Sequence, residues 1–399
     1  MVKKQIDISF ILLLLIIFIF LGGSVAGVYF LNTDKLENEI AGNRPINTLL
    51  VLEKDQKPLC TFVLLYYPAT RRSAIFDIAG ETGLLLKKVN RVDRIDAVYD
   101  SHNVSQYVQE VERLLDLDVN YEIIFDLQNF GKAVDMLEGV TIFIPSEIEI
   151  YDGVDSVIFN SGNNNLDGDK AKLYVSYTDK ESDVEAQRSR QDRFFSGFIK
   201  RLGENNGVLK NKDVMAVFSG LARTNMNAKA YSMLFEEWSK IDPNRINIQL
   251  VGGNYRDVSG KRLLIPYYDG SLIKDVVRQT LGSLTRGGNS ERILTVEVLN
   301  GTNVSGLASR TAELIRSFGY EVIEIGNADR NDYEKTEIYD RSGMENEAKI
   351  FASVIKNNNI ITENIMQPKD EFNFTNSEYK ADFSLIIGKD FNGRYTQSR

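Results

Sequence analysis

An α/β layered fold in two units, behind an apolar N-terminal segment, is what this 399-residue chain predicts. Three observations carry that reading. Runs such as Asn47-Thr-Leu-Leu-Val-Leu and Thr61-Phe-Val-Leu-Leu-Tyr-Tyr are apolar at consecutive positions, as in a sheet covered on both faces. Stretches of helical spacing alternate with them. The same alternation restarts after the polar break Thr285-Arg-Gly-Gly-Asn-Ser, a flexible linker by composition.

The elements follow in order. After the two strands above, Tyr67-Pro-Ala-Thr-Arg-Arg reads as a turn and Ser73-Ala-Ile-Phe-Asp-Ile as the third strand. Val104, Val108, Val111 and Leu115 share one face of a helix over 104–115. Tyr121-Glu-Ile-Ile-Phe-Asp is a strand, Leu127 to Leu137 a helix ended at Gly139, and Val140-Thr-Ile-Phe-Ile-Pro another strand. Helices are predicted over Arg190 to Leu202 and Tyr231 to Lys240. In the second unit, Leu294 to Asn300 is a strand and Ser305 to Phe318 a helix with Ser305 as its N-cap. A strand at Tyr320-Glu-Val-Ile-Glu-Ile, a helix over Asn346 to Lys356 and a strand at Ala381-Asp-Phe-Ser-Leu-Ile-Ile-Gly complete it.

Composition excludes several function classes. The formal charge is −9, and clustered Lys and Arg are what bind phosphate backbones, so nucleic acid is not an expected partner. The short pairs Arg71-Arg72 and Lys87-Lys88 read as turn and surface charges. With one Cys and one His, neither a Cys/His zinc site nor a nucleophile–histidine arrangement with a choice of partners is available. Cys60 sits in a strand and reads as a small buried thiol, and His102 as a solvated loop residue. Catalysis here would run on carboxylates, arginines and a divalent metal.

Ile8 to Leu31 carries no charge, and about 24 residues at ~1.5 Å each span a ~30 Å hydrocarbon core. Lys3 and Lys4 precede it while Asp34, Glu37 and Glu39 follow, so the N-terminus is expected in the cytoplasm and the remainder outside. An uncleaved signal anchor is preferred to a signal peptide cut near Ser24-Val25-Ala26, because the apolar run continues past that point. The expected organisation is a tip and anchor over 1–31, a stalk over 32–45, a first domain over 46–285, a linker over 286–291, a second domain over 292–390 and a tail over 391–399.

Several segments resemble a known family when taken together. Arg94-Ile-Asp-Ala-Val-Tyr is similar to the Lys-Ile-Asn-Ala-Ala-Tyr of the LytR-CpsA-Psr family. So are Val119-Asn-Tyr-Glu-Ile-Ile-Phe-Asp-Leu-Gln-Asn-Phe, Val134-Asp-Met-Leu-Glu-Gly-Val-Thr-Ile-Phe-Ile-Pro and Leu166-Asp-Gly-Asp-Lys-Ala-Lys-Leu-Tyr-Val to their counterparts there. Arg190-Gln191 matches the family's Arg-Gln, and Ala222-Arg-Thr-Asn-Met-Asn its Thr-Asn segment. Val296 to Thr311, Ile325-Gly-Asn-Ala and Ala381 to Gly388 resemble the separate LytR C-terminal domain. The resemblance implies a three-layer α/β/α domain with a central mixed sheet, a pocket for a polyprenyl tail and an extracytoplasmic place in the bacterial envelope. It also implies transfer of a glycopolymer from a polyprenyl-pyrophosphate carrier to the cell wall.

That chemistry needs arginines to fork onto two phosphates and carboxylates to hold a metal against the charge of the leaving group. Here Leu59, Gly80, Ser176 and Gln187 stand where the resembled family carries Asp or Arg. Loss of one group that stabilises transition-state charge lowers the rate by ~10²–10³, and several such losses leave little turnover even without additivity. Arg190 and Asp126 remain of the family's set; the lipid-phosphate candidates are Arg190, Gln191 and Arg193, and in a rearranged active site Arg188, Arg190 and Arg193 would serve as clamps. Arg190, Glu81 and Asp55 are the catalytic candidates, and Glu53, Asp55 and Glu81 the metal candidates. The expectation is a membrane-anchored envelope protein that binds polyprenyl-linked glycan or peptidoglycan without a cofactor, its C-terminal domain available to an envelope protein. The alternative is an active transferase with a rearranged Mg²⁺ site.

Overall fold

The structure is a computed structural model that describes residues 35–87, 90–151, 156–178, 184–243, 246–285, 294–318, 320–362 and 381–396. The apolar segment Ile8–Leu31, Lys88, the linker 286–291 and the last three residues of the tail lie outside them. Among the described residues no helix is long and apolar enough to cross a membrane. The chain divides into two compact units, Met1–Val277 and Arg278–Arg399, with the division inside a helix rather than in the Gly-rich linker that follows it.

The first unit opens with helix α1 (35–41), on residues expected as stalk. Leu36 is buried in the main core and Tyr121 Oη donates to Glu39 Oε2 at 2.8 Å, so this segment is docked rather than extended. The central sheet takes strands β1 (Ile46–Lys54), β2 (Lys57–Tyr67) and β3 (Arg72–Asp77). β1 and β2 are joined by a tight turn in which Asp55 and Gln56 both have positive φ, the geometry of a two-residue hairpin. β4 (Gly83–Leu86) and β5 (Arg91–Arg94) form a side hairpin. Helix α2 (Ser105–Leu115), strand β6 (Tyr121–Asp126) and helix α3 (Leu127–Met136) follow. Asp126 caps α3 by accepting from the backbone of Gln128 and Asn129, and Gly139 at φ +84° ends that stretch as expected.

Strands β7 (Val140–Ile144), β8 (Ile148–Tyr151), β9 (Ser156–Phe159) and β10 (Gly162–Leu166) make two ribbons, β7 with β10 and β8 with β9. Helices α4 (Gly168–Ser176), α5 (Val184–Glu204), α6 (Asn206–Lys210) and α7 (Lys212–Ser219) come next, then β11 (Ala222–Thr224), α8 (Ala228–Trp238) and β12 (Ile246–Leu250). The hairpin β13 (Gly253–Val258) and β14 (Lys261–Pro266) precedes α9 (Ser271–Thr285). The large sheet runs β11-β6-β1-β2-β3-β12 and is mixed: β1 with β6 and β3 with β12 are parallel, the other pairs antiparallel.

Both faces of this sheet are covered, which is why its strands are apolar throughout. Leu50, Phe62, Leu64, Tyr66, Ile75 and Ile123 point into a core filled by α3, α4, α5, α7 and α8. The intervening Leu49, Val51, Val63, Leu65 and Phe76 are buried on the other face. There Thr61 Oγ1 and the α2 residue Tyr107 share a hydrogen bond of 2.8 Å. α3 and α4 cross so closely that a Cβ on Gly168 would stand 2.2 Å from the Gly131 carbonyl oxygen, and only glycine fits.

The second unit is smaller: β15 (Thr295–Asn300), α10 (Leu307–Ser317), β16 (Glu321–Asn327), β17 (Glu337–Asp340), α11 (Glu345–Val354), β18 (Ile360–Thr362) and β19 (Phe383–Ile387). Its sheet order is β16-β15-β19-β17-β18, with only β17 and β19 antiparallel. Its core includes Phe351 stacked on Phe383 at 5.2 Å and set edge-on to Tyr320. Ser305 is not the N-cap of α10. Gly306 takes that place at φ +70°, because the loop ahead of it closes on itself through Asn300 and Thr302.

Candidate functional site

The first turns of α5 build the site. Arg188 and Asp192 stand four residues apart and share one side of the helix. Arg188 Nε donates to Asp77 Oδ2 at 2.8 Å, and Asp77 closes β3 with its carboxyl buried. Burial pushes the Asp77 carboxyl up despite that guanidinium. Burial and then the charge of Asp77 push Asp192 up to about 7, against the pull of Arg188 and Arg193. Asp192 Oδ1 is buried and takes no hydrogen bond among the described residues. Glu81 accepts from Tyr255 Oη at 3.1 Å, and burial followed by the charge of Glu81 raises that phenol.

Leu59, Ser176 and Gln187 lie around α5, and Gly80 stands against an ion pair. Gln187 Nε2 donates to the Ser176 carbonyl at 3.3 Å, and Gln191 Nε2 to the carbonyls of Val175 at 3.0 Å and Leu59 at 3.5 Å. A Cβ on Gly80 would meet Asp96 Oδ2 at 2.6 Å, because Arg94 and Asp96 form an ion pair against it. These positions are held by amide–carbonyl contacts and lie beside charges paired within the protein.

The sequence-derived candidates divide among separate places. Arg190 is buried, donates to the Tyr177 carbonyl at 2.6 Å and lies 5.3 Å from the centre of the Tyr177 ring. Arg193 donates to Ser189 Oγ at 2.6 Å. Arg188, Arg190, Gln191 and Arg193 do lie together on α5. The acids do not. Glu53 is buried at the end of β1, where it accepts from Tyr99 Oη and pairs with Arg223 at 2.6 Å. Asp55 is exposed at the hairpin tip, Asp126 is committed to the α3 cap, and Glu81 stands with Tyr255. No group of three acidic, His or Cys side chains among the described residues is placed to hold a metal. Mg²⁺ wants near-octahedral oxygen ligands anchored on carboxylates, and these carboxylates, set in separate places among the described residues, do not form such a set.

Beside Gln191 an apolar cavity runs between sheet and α5, lined by Leu50, Leu52, Cys60, Phe62, Phe195 and Phe198 among others. The cavity measures about 30 Å³. Phe195 lines it, stacked on Phe62 at 4.6 Å with 5° between the rings. Cys60 is half-buried here rather than fully buried, and burial raises its thiol pKa. Aromatic side chains thus narrow the apolar space beside Gln191.

The sequence reading passes over Asp77, Asp192 and Tyr255. Asp77 left a signal, an acid inside an otherwise apolar strand. Asp192 directly follows Arg190-Gln191 but carries no mark of burial in the sequence.

Comparison with known proteins bears on this geometry. A family model described as LytR_cpsA_psr family matches residues 71–274, about half of the chain. The chain belongs to that family. A second model, described as LytR cell envelope-related transcriptional attenuator, matches residues 293–391. A similar protein is the polyisoprenyl-teichoic acid–peptidoglycan teichoic acid transferase TagU of Bacillus cereus, 22% identical over 261 residues, which cover 64% of this chain and 82% of that one. Among solved structures, B. subtilis TagV superposes with a TM-score of 0.54 at 17% identity, covering 61% of this chain and 97% of that one. A structure of TagT bound to LI-WTA gives 0.50 at 17% identity, covering 61% and 91%. At these identities the likeness establishes the fold: a mixed α/β unit with a central mixed sheet, followed here by a smaller domain.

Proposed function

We propose that this member of the LytR-CpsA-Psr family is a membrane-anchored, extracytoplasmic cell-envelope protein that binds envelope glycan without transferring it. Its anchor is Ile8–Leu31, with the N-terminus in the cytoplasm, and its partners are polyprenyl-linked glycan or peptidoglycan. One observation carries the loss of transfer. The charge of Arg188 is already met by Asp77, and Asp192 adds a second carboxyl beside them. A diphosphate entering here finds the Arg188 guanidinium already held by Asp77 and would have to displace that carboxylate to gain the pairing. The dispersal of Glu53, Asp55 and Glu81 and the narrowed apolar cavity support the same reading.

The related transferases act on teichoic acid and peptidoglycan by their names, and glycan is the part of such a substrate that a site without a diphosphate cradle can still hold. The test incubates the full chain with Mg²⁺ and a polyprenyl-pyrophosphate-linked glycan, and in parallel with purified cell-wall sacculi. Retention on sacculi with no phosphate release and no glycan transfer is expected. Transfer that disappears in Arg190→Ala would overturn the proposal in favour of a working enzyme with a rearranged site.

A further inference from the structure

The second unit holds a cleft that the chemistry of the first does not use. It lies where the parallel strands β15 and β16 end, between the loops 301–306 and 328–332, and measures about 490 Å³. Small-molecule clefts commonly measure about 300–1,000 Å³, and the carboxyl ends of parallel strands in α/β folds are where they recur. The lining includes Thr302, Asn303, Asn327, Asp329, Arg330 and Asn331. The side chains of Asn303, Asn327 and Asn331 are exposed and make no hydrogen bond to a described residue.

The walls are fixed from behind. Asn300 Oδ1 accepts from the Thr302 backbone at 3.0 Å and from its hydroxyl at 2.8 Å, while Asn300 Nδ2 donates to the Val304 carbonyl at 2.9 Å. Ala328 N donates to Asn300 O and Tyr333 N to Gly301 O, tying the two loops together. A Cβ on Gly301 would stand 2.7 Å from the Tyr333 ring. That ring lies 4.2 Å from the Arg330 guanidinium and donates its hydroxyl to Asp329 at 2.7 Å, which holds both charged residues at the rim.

We infer that this cleft is a second binding site of the protein, for a neutral saccharide strand. Each sugar hydroxyl both donates and accepts, and so does each carboxamide, whereas a polyanion asks for clustered cations. Arg330 is offset by Asp329 in the lining and by Asp332 at 3.7 Å, so the cleft offers hydrogen bonds with little net charge. The inference stands on this lining alone and does not depend on whether the first unit transfers glycan.

The test uses ligand-observed NMR titration of the full chain with an N-acetylglucosamine tetramer, and separately with poly(glycerol phosphate). Wild type is expected to bind the neutral tetramer with little dependence on salt. Asn331→Ala and the double variant Asn303→Ala/Asn327→Ala are expected to weaken it at least tenfold with unchanged circular dichroism, exposed carboxamides being dispensable for folding. Three results would overturn the inference: no binding of the tetramer, equal binding by the variants, or binding of the phosphate polymer only with steep salt dependence.

Discussion

Asp77 and Asp192 set the electrostatics around the first turns of α5, and their effect on stability has a definite sign. An ordinary aspartate titrates near ~3.9, while Asp192 in the folded chain stands at about 7. Between these values the folded state keeps a proton that the unfolded state has released. Stability from this group is therefore fully present below pH ~4 and falls as pH rises through about 7. Asp77, raised in the same direction, adds to the fall. Urea unfolding at pH 5 and pH 8 should show the loss, and Asp192→Asn should shrink the difference by about 2 kcal/mol, well below the full linkage value because the two carboxyls titrate together. An undiminished difference in that variant would remove Asp192 from the account. The uncharged side chains of Leu59, Gly80, Ser176 and Gln187 were legible residue by residue, because residue type is read directly from the chain. Asp77 and Asp192 matter through their burial against each other, which a single sequence does not display.

At the scale of elements, the Phe194, Phe195 and Phe198 face of α5 decides what the sheet can enclose. Phe195 is buried and stacked on Phe62. Removing its ring should destabilise the first unit by about 3–4 kcal/mol and open apolar volume beside Gln191. Phe195→Ala should then take up a polyprenyl phosphate that wild type does not, as measured by retention of the labelled lipid. Equal uptake by both proteins would mean that the ring does not close this space. The α5 helix, its aromatic content and the doubly apolar strands were readable from spacing alone, since a sheet covered on both faces needs them. Whether those aromatics line a tunnel or fill it was not, because the same residues do either depending on side-chain packing. The hairpins β4–β5 and β13–β14 escaped the reading for a related reason: short, half-exposed ribbons carry weak alternation.

For the whole molecule, each unit has its own core, and unfolding should report that. Scanning calorimetry is expected to resolve two transitions. Phe351→Ala, which deletes a ring packed on Phe383 and Tyr320, should lower one by the equivalent of about 3–5 kcal/mol and leave the other in place. A parallel shift of both would show one cooperative unit.

By itself, the sequence determined the α/β class, the two-unit order, the kinship carried by its motifs and the absence of charged groups at four positions, because periodicity, turn chemistry and residue type are local properties of the chain. Tertiary structure decided the rest. It brought Asp77 from β3 against Arg188 from α5, sent Glu53 to Arg223 and Glu81 to Tyr255, left Asp55 exposed at a hairpin tip, and stacked Phe195 on Phe62 beside the apolar space. Those outcomes depend on which distant side chains share a dry place, since burial sets the strength of a charge pair and packing sets the volume left over.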